Sequence, residues 1–585
     1  MPFPSLDAFF TQSDQFSKIK KPRYGNAPEF NDPIWLDVEG EIPTWLRGVL
    51  YRIGPGKFIL NEQEADSGKS IAITHAFDGM AYVHRFEFDG TNQKLRYNSR
   101  QTSKDYEKNV VENPLGGHTS FGTFYKSNVS SWERFMDFIK RSSKRITSDL
   151  PPSSASINVT ITPNYPLPND IAFKKDGFSL VAKTDIPNLQ KIHHDTLEPE
   201  KLFTYSDYDK RIVGGRFSAS HHQQDKNTGE VFNFTISLGH QPQLTVFKIN
   251  QSDNKVTILA EIKYQSDGVT PIKPAYIHAF WITQNYVIIP ISPCYVKNHG
   301  LDVGVTGVLL SGLEWDEKAP TYFYVIDRHG KGLVATIPVD PHFAFHTLHG
   351  RDYVDESGNV VLELNTQAFD DGNVLFEAGG FVDVPRANQV AERNKENQLS
   401  ESAIEKINGF LVGSKKSFTN NFGDLRRYII QLKESQQCET SYTTLVKNIE
   451  FARIHPDYIF NTYRYVYYNS VVPGVADVRG MQYVLRKVDL QTGQEITWTP
   501  ETQDAYICSE PVFVPRPTAT EEDDGVVISL VNLFDNRGKE HDRCYLLFLN
   551  AKDYTEYGRV HLGQFTATTF HGSYVDTEFQ DGSFN

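Results

Sequence analysis

The chain has few cysteines, and their spacing predicts no structural role for them. Its 585 residues include four cysteines, Cys294, Cys438, Cys508 and Cys544, and no CxxC pair. Disulfide frameworks and cysteine zinc sites both depend on closely spaced cysteines. We therefore expect reduced thiols in a cytoplasmic protein.

Long apolar runs and an excess of positive charge are also absent. No segment approaches the roughly 20 apolar residues that cross a bilayer, and the N-terminus lacks a signal-peptide pattern. Lys and Arg total 59 against 73 Asp and Glu, a net charge of −14. This balance argues against nucleic-acid binding. We expect a cytoplasmic chain with no obligate protein partner, whose membrane contact can only be peripheral.

What the sequence does contain is a dense series of strand-like runs. Examples are YVHRFEF (82–88), VFNFTISL (231–238) and YVIIPI (286–291), with turn signals such as Asp89-Gly90 between such runs. Strands at this density, without alternating helices, predict an all-β fold such as a propeller or a large barrel. No fixed-period repeat is present, so the sequence does not count the blades.

Two segments interrupt the β pattern. In 130–146, apolar residues recur at helical spacing and Ser130 with Glu133 forms a candidate capping box. The apolar stripe and the basic end of this helix fit either a membrane interface or packing on the core. The second segment, 386–436, is rich in Glu, Lys, Asn and Gln, and we interpret it as a surface excursion with helical character.

Eighteen histidines are present, and no local metal motif such as HxH or HExxH marks any of them. A single histidine is more often a surface or hydrogen-bonded core residue than a ligand. His221, His278, His346 and His571 lie near or within strand-like runs, as ligands delivered by separate strands would. Spacing alone cannot distinguish these four from the other histidines.

Several long motifs, in order, resemble the carotenoid cleavage oxygenase family. The resemblance runs nearly from end to end, which makes it far more specific than one short pattern. Its segments are VEGEIPTWLRGVLYRIGPGKF (38–58), HAFDGMAYVHRFEF (75–88), FSASHHQQDKNTGE (217–230), IHAFWITQNYVIIP (277–290), FAFHTLHG (343–350) and FHG (570–572).

The resemblance implies a fold and a metal centre. The family fold is a seven-bladed β-propeller, here a single domain over 1–585, with helices and loops covering a tunnel above the axis. Carried over residue by residue, the ligands of an Fe(2+) ion are His221, His278, His346 and His571. Imidazole suits Fe(II), and four such ligands leave positions for oxygen.

The family also places three carboxylates behind the ligands, where they orient the rings. By this analogy Asp185 pairs with His278, Glu450 with His346, and Glu510 with His571. Asp185 departs from the family, which has Glu at this position. Because Asp is one methylene shorter, we expect it to reach His278 only through a backbone shift or a bridging water.

Other departures concern single positions. His222 stands where the family has proline, which makes it a competitor of His221 as the first ligand. His349 replaces a usual Asn, and Tyr574 a common Trp. His75 and His84 belong to a structural segment and receive no metal role.

The resemblance implies a non-haem iron dioxygenase that cleaves a conjugated C=C bond of a carotenoid or apocarotenoid with O2, giving aldehydes. Its partners would be an apolar polyene and O2. Stilbene-cleaving relatives carry Lys just before the Asp185-like acid. Thr184 stands there, with Lys183 one residue earlier, which argues modestly against stilbenes. Stilbene cleavage, retinoid isomerisation and a non-catalytic carotenoid-binding propeller remain alternatives.

Overall fold

The structure is a computed structural model that describes most of the chain. It covers residues 25–576 except 62–70, 74, 124, 127–129, 144–148, 170–177, 213, 378–421, 433–440, 474–480 and 536, and it adds 582–583. Strands dominate this part, in eight sheets, so the expectation of a mostly β protein is confirmed. No helix of the described residues is long and apolar enough to span a bilayer.

The first sheet joins the two ends of the described chain. Within it, β3 (Arg47–Lys57) pairs with β36 (His571–Val575) and places Ile53 opposite His571. Strand β36 therefore lies between β3, near the N-terminus, and the two-residue strand β37 (Gly582–Ser583). The sheet order is β1-β7-β6-β3-β36-β37. Its strands are β1 (Phe30–Asp37), β3 (Arg47–Lys57), β6 (Met80–Asp89), β7 (Lys94–Gln101), β36 (His571–Val575) and β37 (Gly582–Ser583).

Three antiparallel sheets follow along the chain. They are built from neighbouring hairpins, which is the local pairing that short turns favour. Their strands are β8 (Thr160–Pro163), β9 (Leu180–Lys183), β10 (Asn188–Ile192) and β11 (Pro199–Thr204); β12 (Gly215–Ser218), β13 (Gln223–Gln224), β14 (Val231–Ser237), β15 (Gln243–Ile249) and β16 (Val256–Ile262); and β17 (Trp281–Ile282), β18 (Tyr286–Ile291), β21 (Thr321–Asp327) and β22 (Gly332–Val339).

The remaining strands form one four-stranded sheet, one ten-stranded sheet and two small pairs. The four-stranded sheet contains β23 (Phe343–Val354), β24 (Val360–Phe369), β25 (Asp424–Leu432) and β26 (Tyr442–Val446). The ten-stranded sheet contains β2 (Glu39–Gly40), β27 (Glu450–Arg453), β28 (Tyr465–Pro473), β29 (Met481–Asp489), β30 (Glu495–Trp498), β31 (Ala505–Cys508), β32 (Val512–Pro515), β33 (Gly525–Phe534), β34 (Arg543–Asn550) and β35 (Glu556–Gly563). The pairs are β4 (Ile59–Leu60) with β5 (Ile71–Ala72), and β19 (Cys294–Val296) with β20 (Leu313–Trp315).

Burial along the strands explains why these segments pair as they do. All ten residues of β33, GVVISLVNLF, are buried, as expected where side chains on both faces of a strand are covered. In β1 no residue is fully buried, and half-buried positions alternate with exposed ones over 34–37, as expected of an edge strand with one covered face. The three described cysteines, Cys294, Cys508 and Cys544, are free and buried, in agreement with the expectation of reduced thiols.

Helices are few and short in the described chain. The longest, α2 (Ser131–Ser143), confirms the helix predicted within 130–146. Ser130 and Glu133 make the predicted reciprocal bonds: the backbone N–H of each donates to the side-chain oxygen of the other, at 2.9 and 3.3 Å. The α-helices are α1 (Lys104–Glu112), α2 (Ser131–Ser143), α3 (Tyr205–Tyr208), α4 (Leu301–Thr306) and α5 (Asn373–Glu377). Short 3-10 turns cover 76–78, 210–212, 297–300, 309–312, 456–458 and 539–541.

The surface excursion predicted at 386–436 is wrong at its C-terminal end. Strand β25 (Asp424–Leu432) pairs along β24 and β26 in the interior of its sheet, and Leu425, Tyr428 and Ile430 are buried. The Glu- and Lys-rich composition of the preceding residues masked this alternation. The helix-like part, ESAIEKINGFL (401–411), lies outside the described residues.

Candidate metal centre

Four buried histidines from four parts of the chain meet at one point. His221 follows β12, His278 precedes β17, His346 lies in β23, and His571 begins β36. They are between 2 % and 9 % exposed, and one nitrogen from each ring lies within 4.8 Å of the others. This is a donor set that could hold a metal ion.

Hydrogen bonds decide which ring nitrogens face the common centre. The Nδ1 atoms of His278, His346 and His571 each contact a carboxylate, which leaves Nε2 for a metal. The Nε2 atoms of His346 and His571 are 3.3 Å apart. Within the described chain, Nε2 of His221 has no hydrogen-bond partner. Because an unpaired buried nitrogen is costly, a cation at this point fits the arrangement.

The surroundings keep two of these rings, those of His221 and His571, neutral. Burial lowers the pKa of His571 to about 3. Burial, followed by the three neighbouring imidazoles, lowers the pKa of His221 well below its usual value. A metal binds the neutral ring, so the lone pairs of His221 and His571 are available at neutral pH without a proton being displaced.

Asp185 contacts His278 directly, so of the two expected routes, a bridging water and a shifted backbone, the water is not needed. Its Oδ1 lies 2.8 Å from Nδ1 of His278. Asp185 follows β9, and its carbonyl oxygen accepts a 2.9 Å hydrogen bond from the N–H of Ser218. This bond anchors the Asp185 backbone to the segment that leads into His221. The shorter side chain therefore suffices.

Two hydroxyls hold the same carboxylate. Ser220 donates to Oδ1 of Asp185 at 2.6 Å, and Tyr276 donates to Oδ2 at 2.9 Å. Burial, and then the charge of Asp185, raise the pKa of the Tyr276 phenol well above its usual value, so the phenol keeps its proton and remains a donor. We call Asp185, Ser220, Tyr276 and His278 the Asp185 group.

Glu450, at the start of β27, contacts Nδ1 of His346 through Oε2 at 2.6 Å. The same oxygen accepts the backbone N–H of Phe451 at 2.8 Å. Phe451 has a φ of +53°, which is unusual for a bulky residue and is often found at functional sites. Its ring lies 5.3 Å from His346 and 5.7 Å from His571, so it forms one wall beside the histidines.

Glu510 is held by charge. Its Oε1 accepts hydrogen bonds from Nδ1 of His571 at 3.1 Å and from Nε of Arg453 at 2.9 Å. Burial alone would raise the pKa of Glu510, but Arg453, His571 and Arg52 outweigh it and hold the pKa well below its usual range. Arg453 also donates to the carbonyl of Gly572 at 2.9 Å. We call Glu510, Arg453 and His571 the Glu510 group.

The competitor His222 lies outside the four-histidine group. Its ring packs edge-on to Tyr165 at 5.2 Å. His349 contacts the carbonyl of Asn461 at 2.8 Å, and His84 contacts the hydroxyl of Tyr97 at 2.9 Å. The structure thus brings together the four histidines that the family motifs indicated and leaves these others outside the group.

A cavity of about 1080 Å³ opens onto the centre. It is bounded by His278, His346 and His571, and farther out by Ile186, Phe138 and Leu301. Its inner part is aromatic. Phe77 contacts three other rings at 5.0 to 5.8 Å, those of Phe121, Phe345 and Phe570. A space of this size with an aromatic wall suits a long apolar ligand.

Sequence reasoning did not find Tyr276, Ser220, Arg453 or Phe451. Tyr276 precedes His278 by two residues and Ser220 directly precedes His221, so proximity to a ligand was an available signal. Arg453 follows Glu450 by three residues, but no local pattern shows that it faces Glu510. Nothing in the amino-acid sequence around Phe451 predicts its left-handed backbone conformation.

Comparison with known proteins gives concordant results. The family model RPE65, retinal pigment epithelial membrane protein, matches residues 25–576. A torulene dioxygenase of Gibberella fujikuroi is 28% identical over 94% of this chain and 92% of its own length. A carotenoid dioxygenase of Neurospora crassa is 27% identical over 94% and 90%. The beta,beta-carotene 15,15'-dioxygenase of Gallus gallus is 25% identical over 94% and 97%.

Solved structures agree at the level of the fold. Cobalt-substituted apocarotenoid oxygenase (ACO) of Synechocystis has a TM-score of 0.63 at 21% identity, covering 98% of this chain and 100% of its own. An ACO/RPE65 chimera has a TM-score of 0.62 at 21% identity with the same coverage. The sheets described above are therefore arranged as in these proteins.

Proposed function

The chain belongs to the RPE65 family of carotenoid oxygenases, and from this premise we propose that it cleaves a conjugated C=C bond of a carotenoid or apocarotenoid. One O2 supplies one oxygen atom to each carbon of the broken bond, giving two aldehydes. The observation that carries the proposal is a buried four-histidine cluster opening onto an aromatic cavity. The dioxygenase names of the fungal relatives support it.

We propose Fe(2+) as the metal, held by Nε2 of His221, His278, His346 and His571. Imidazole ligands suit Fe(II), and the bound ion would supply O2 activation. Asp185, Glu450 and Glu510 would fix the tautomer and orientation of three of the rings by accepting their Nδ1–H. Three carboxylates in a buried site also favour a divalent cation over an empty cluster.

For the fold, we propose one seven-bladed propeller over 1–585, with insertions near 130–146 and in the part of 386–436 that precedes β25. The pairing of β3 with β36 supports it, because joining N-terminal and C-terminal strands in one sheet is how a ring of sheets closes. The four histidines would then lie on the axis, each delivered by a different sheet or the loop beside it.

The cavity residues would bind and orient the polyene. Rings such as Phe77, Phe345 and Phe451 offer apolar surface without hydrogen-bond donors, so they exclude water and hold the chain by contact alone. Which double bond lies at the metal would depend on the depth to which the polyene enters. No acid–base pair is required for this reaction.

A carotenoid fits the site better than a stilbene. Lys183 is 1% exposed. Its side-chain nitrogen donates to the hydroxyl of Thr162 and lies over the ring of Tyr165, away from the cavity. Thr184, one residue on, does line the cavity. A phenol in the cavity would thus find no lysine at this position.

The test is expression in carotene-accumulating bacteria, followed by assay of purified protein loaded with Fe(II). We expect loss of pigment, O2 consumption and aldehydes of the matching mass. His346→Ala should abolish all three, and His561→Ala, at an exposed histidine in β35, should not. Resveratrol cleavage without carotenoid cleavage would establish the stilbene alternative. Isomerised retinoid without O2 uptake would establish the isomerase, and bound but intact pigment a carotenoid-binding protein.

We also propose peripheral membrane contact through α2. Its apolar stripe is exposed, with Trp132 at 68% and Phe135 at 51%, while Phe138 and Arg141 on its other side line the cavity. The helix packs through these inner residues, so the core does not cover the stripe. The basic residues Lys144 and Arg145 lie outside the described residues. A lipid surface here would hold an apolar substrate beside the cavity.

Vesicle flotation tests this contact. Phosphatidylcholine–phosphatidylserine vesicles should carry the wild-type protein, and Trp132→Glu with Phe135→Glu should release it while cleavage of detergent-dispersed substrate persists. Val354→Glu, at an equally exposed apolar residue of β23, is the matched control. Flotation that survives the α2 double variant would refute the contact. The cytoplasmic location stays a prediction.

A further inference from the structure

The Asp185 group contains more hydrogen bonds than the pairing of one carboxylate with one ligand requires. Asp185 accepts from His278 at 2.8 Å, from Ser220 at 2.6 Å and from Tyr276 at 2.9 Å. Within the described residues, no cation forms an ion pair with this carboxylate. Two hydroxyls therefore hold the Asp185 carboxylate in place, whereas the charged side chain of Arg453 holds that of Glu510.

The hydroxyls come from residues adjoining two different histidines. Tyr276 lies two residues before His278, and its hydroxyl is 3.3 Å from Nδ1 of that ring. Ser220 directly precedes His221, and its carbonyl accepts a 2.7 Å bond from the hydroxyl of Thr160. One carboxylate thus links the segment carrying His221 to the segment carrying His278.

This link has a special importance for His221. In the described chain, no carboxylate contacts the His221 ring, in contrast to the other three histidines. Its backbone is fixed instead, by a 3.3 Å bond from its N–H to the carbonyl of His278 and by the neighbouring Ser220. A shift of Asp185 would therefore disturb two rings of the centre.

We propose that Tyr276 and Ser220 are positioning residues that fit the short side chain of Asp185 to the metal centre. They fix its two oxygens, so that Oδ1 meets Nδ1 of His278 without the methylene that a glutamate would add. Tyr276 occupies the space into which a longer side chain would extend, so the tyrosine and the aspartate are suited to each other. The inference rests on the metal site of the proposed function.

A double-variant cycle with Co(II) tests this fit, because Co(II) affinity can be measured without turnover. Tyr276→Phe removes one oxygen and should weaken Co(II) binding about tenfold, the scale of a lost supporting partner. Asp185→Glu alone should also weaken binding. In the double variant, the methylene that Asp185→Glu adds can occupy the space of the lost hydroxyl. Its Co(II) affinity should therefore be higher than the product of the two single losses predicts.

The matched control is Tyr428→Phe, which removes an equally buried hydroxyl that contacts His342 at 3.3 Å, outside the centre. It should leave Co(II) affinity unchanged, and thermal unfolding of each metal-free variant tests for misfolding. Tyr276→Phe binding as tightly as wild type, or single effects that simply multiply, would overturn the inference. If the wild type binds neither Co(II) nor Fe(II), the proposed function itself fails.

Ser220→Ala gives a second measurement should Asp185→Glu fail to fold. It should weaken Co(II) binding in the same direction as Tyr276→Phe and change the visible absorption spectrum of bound Co(II), since the ring geometry shifts. An unchanged spectrum with unchanged affinity in both Ser220→Ala and Tyr276→Phe would count against the proposal.

Discussion

The Asp185 group and the Glu510 group orient histidines of the same centre by different physical means. In the Glu510 group a buried carboxylate faces Arg453 at 2.9 Å as well as His571 at 3.1 Å. In the Asp185 group the carboxylate receives two hydroxyls instead. Both place an oxygen on Nδ1, so the ligand geometry does not require a particular partner for the carboxylate.

The two groups should differ in what they cost the fold when broken. Removing one member of a buried ion pair leaves the other buried without a counter-charge, which is strongly destabilising. Asp185 has no cationic partner among the described residues, so removing its charge costs only the hydrogen bonds that its two oxygens accept. The amide oxygen of an asparagine can accept some of them. The Glu510 group therefore supports the fold and the centre together, and the Asp185 group chiefly the centre.

The largest expected effect is loss of the metal, and it should be the same for a ligand taken from either group. His278→Ala and His571→Ala each remove one ring from the centre, and each should lower bound Fe(II) and turnover by more than the roughly 100-fold that loss of a supporting partner can cost. Metal analysis and O2 uptake measure this. An active, metal-loaded His278→Ala would mean that the Asp185 group lies outside the functional centre.

The next effect, on the free energy of unfolding, should differ between the two groups. Glu510→Gln should lower the free energy of unfolding of the metal-free protein by about 3 kcal/mol, since it leaves Arg453 opposite an uncharged group. Asp185→Asn should lower it by about 1 kcal/mol, the scale of one altered hydrogen bond. Urea unfolding followed by tryptophan fluorescence measures both. Equal losses, or the reverse order, would remove the distinction between charge and hydroxyls.

The last expected effect is a loss of stability in acid. His84 lies opposite Arg52, which donates to the carbonyl of Glu510. His84 is fully buried, and burial, with the charge of Arg52, lowers its pKa to about 3. The unfolded chain takes up this proton near pH 6.5 and the folded chain does not, so stability is present above pH 6.5 and is lost as pH falls. The loss should be about 1.4 kcal/mol per pH unit from this one group.

His84→Gln should remove that share of the slope. Unfolding of the metal-free variant and wild type between pH 7 and 5 gives the comparison, and equal slopes would show that His84 does not contribute. The same measurement defines the pH range in which loss of metal can be separated from loss of the fold.

Much of the centre was predictable from the sequence through its motifs. The segments around His221, His278, His346 and His571 resemble those of a known family, and the structure brings these four rings together. The capping box of α2 and the β-rich character were predictable from local rules. The burial of β25 was not, because its alternation is hidden behind a polar, helix-like segment.

What the sequence determined by itself is thus the set of ligand candidates, the strand-rich fold and the start of α2, since each depends on neighbouring residues or on a motif. Only the tertiary structure decided that Asp185 reaches His278 directly, that Arg453 faces Glu510, and that His222 turns away from the centre. Those outcomes depend on distances between segments remote in the chain. Contacts of this kind are set by packing, to which a linear pattern gives no access.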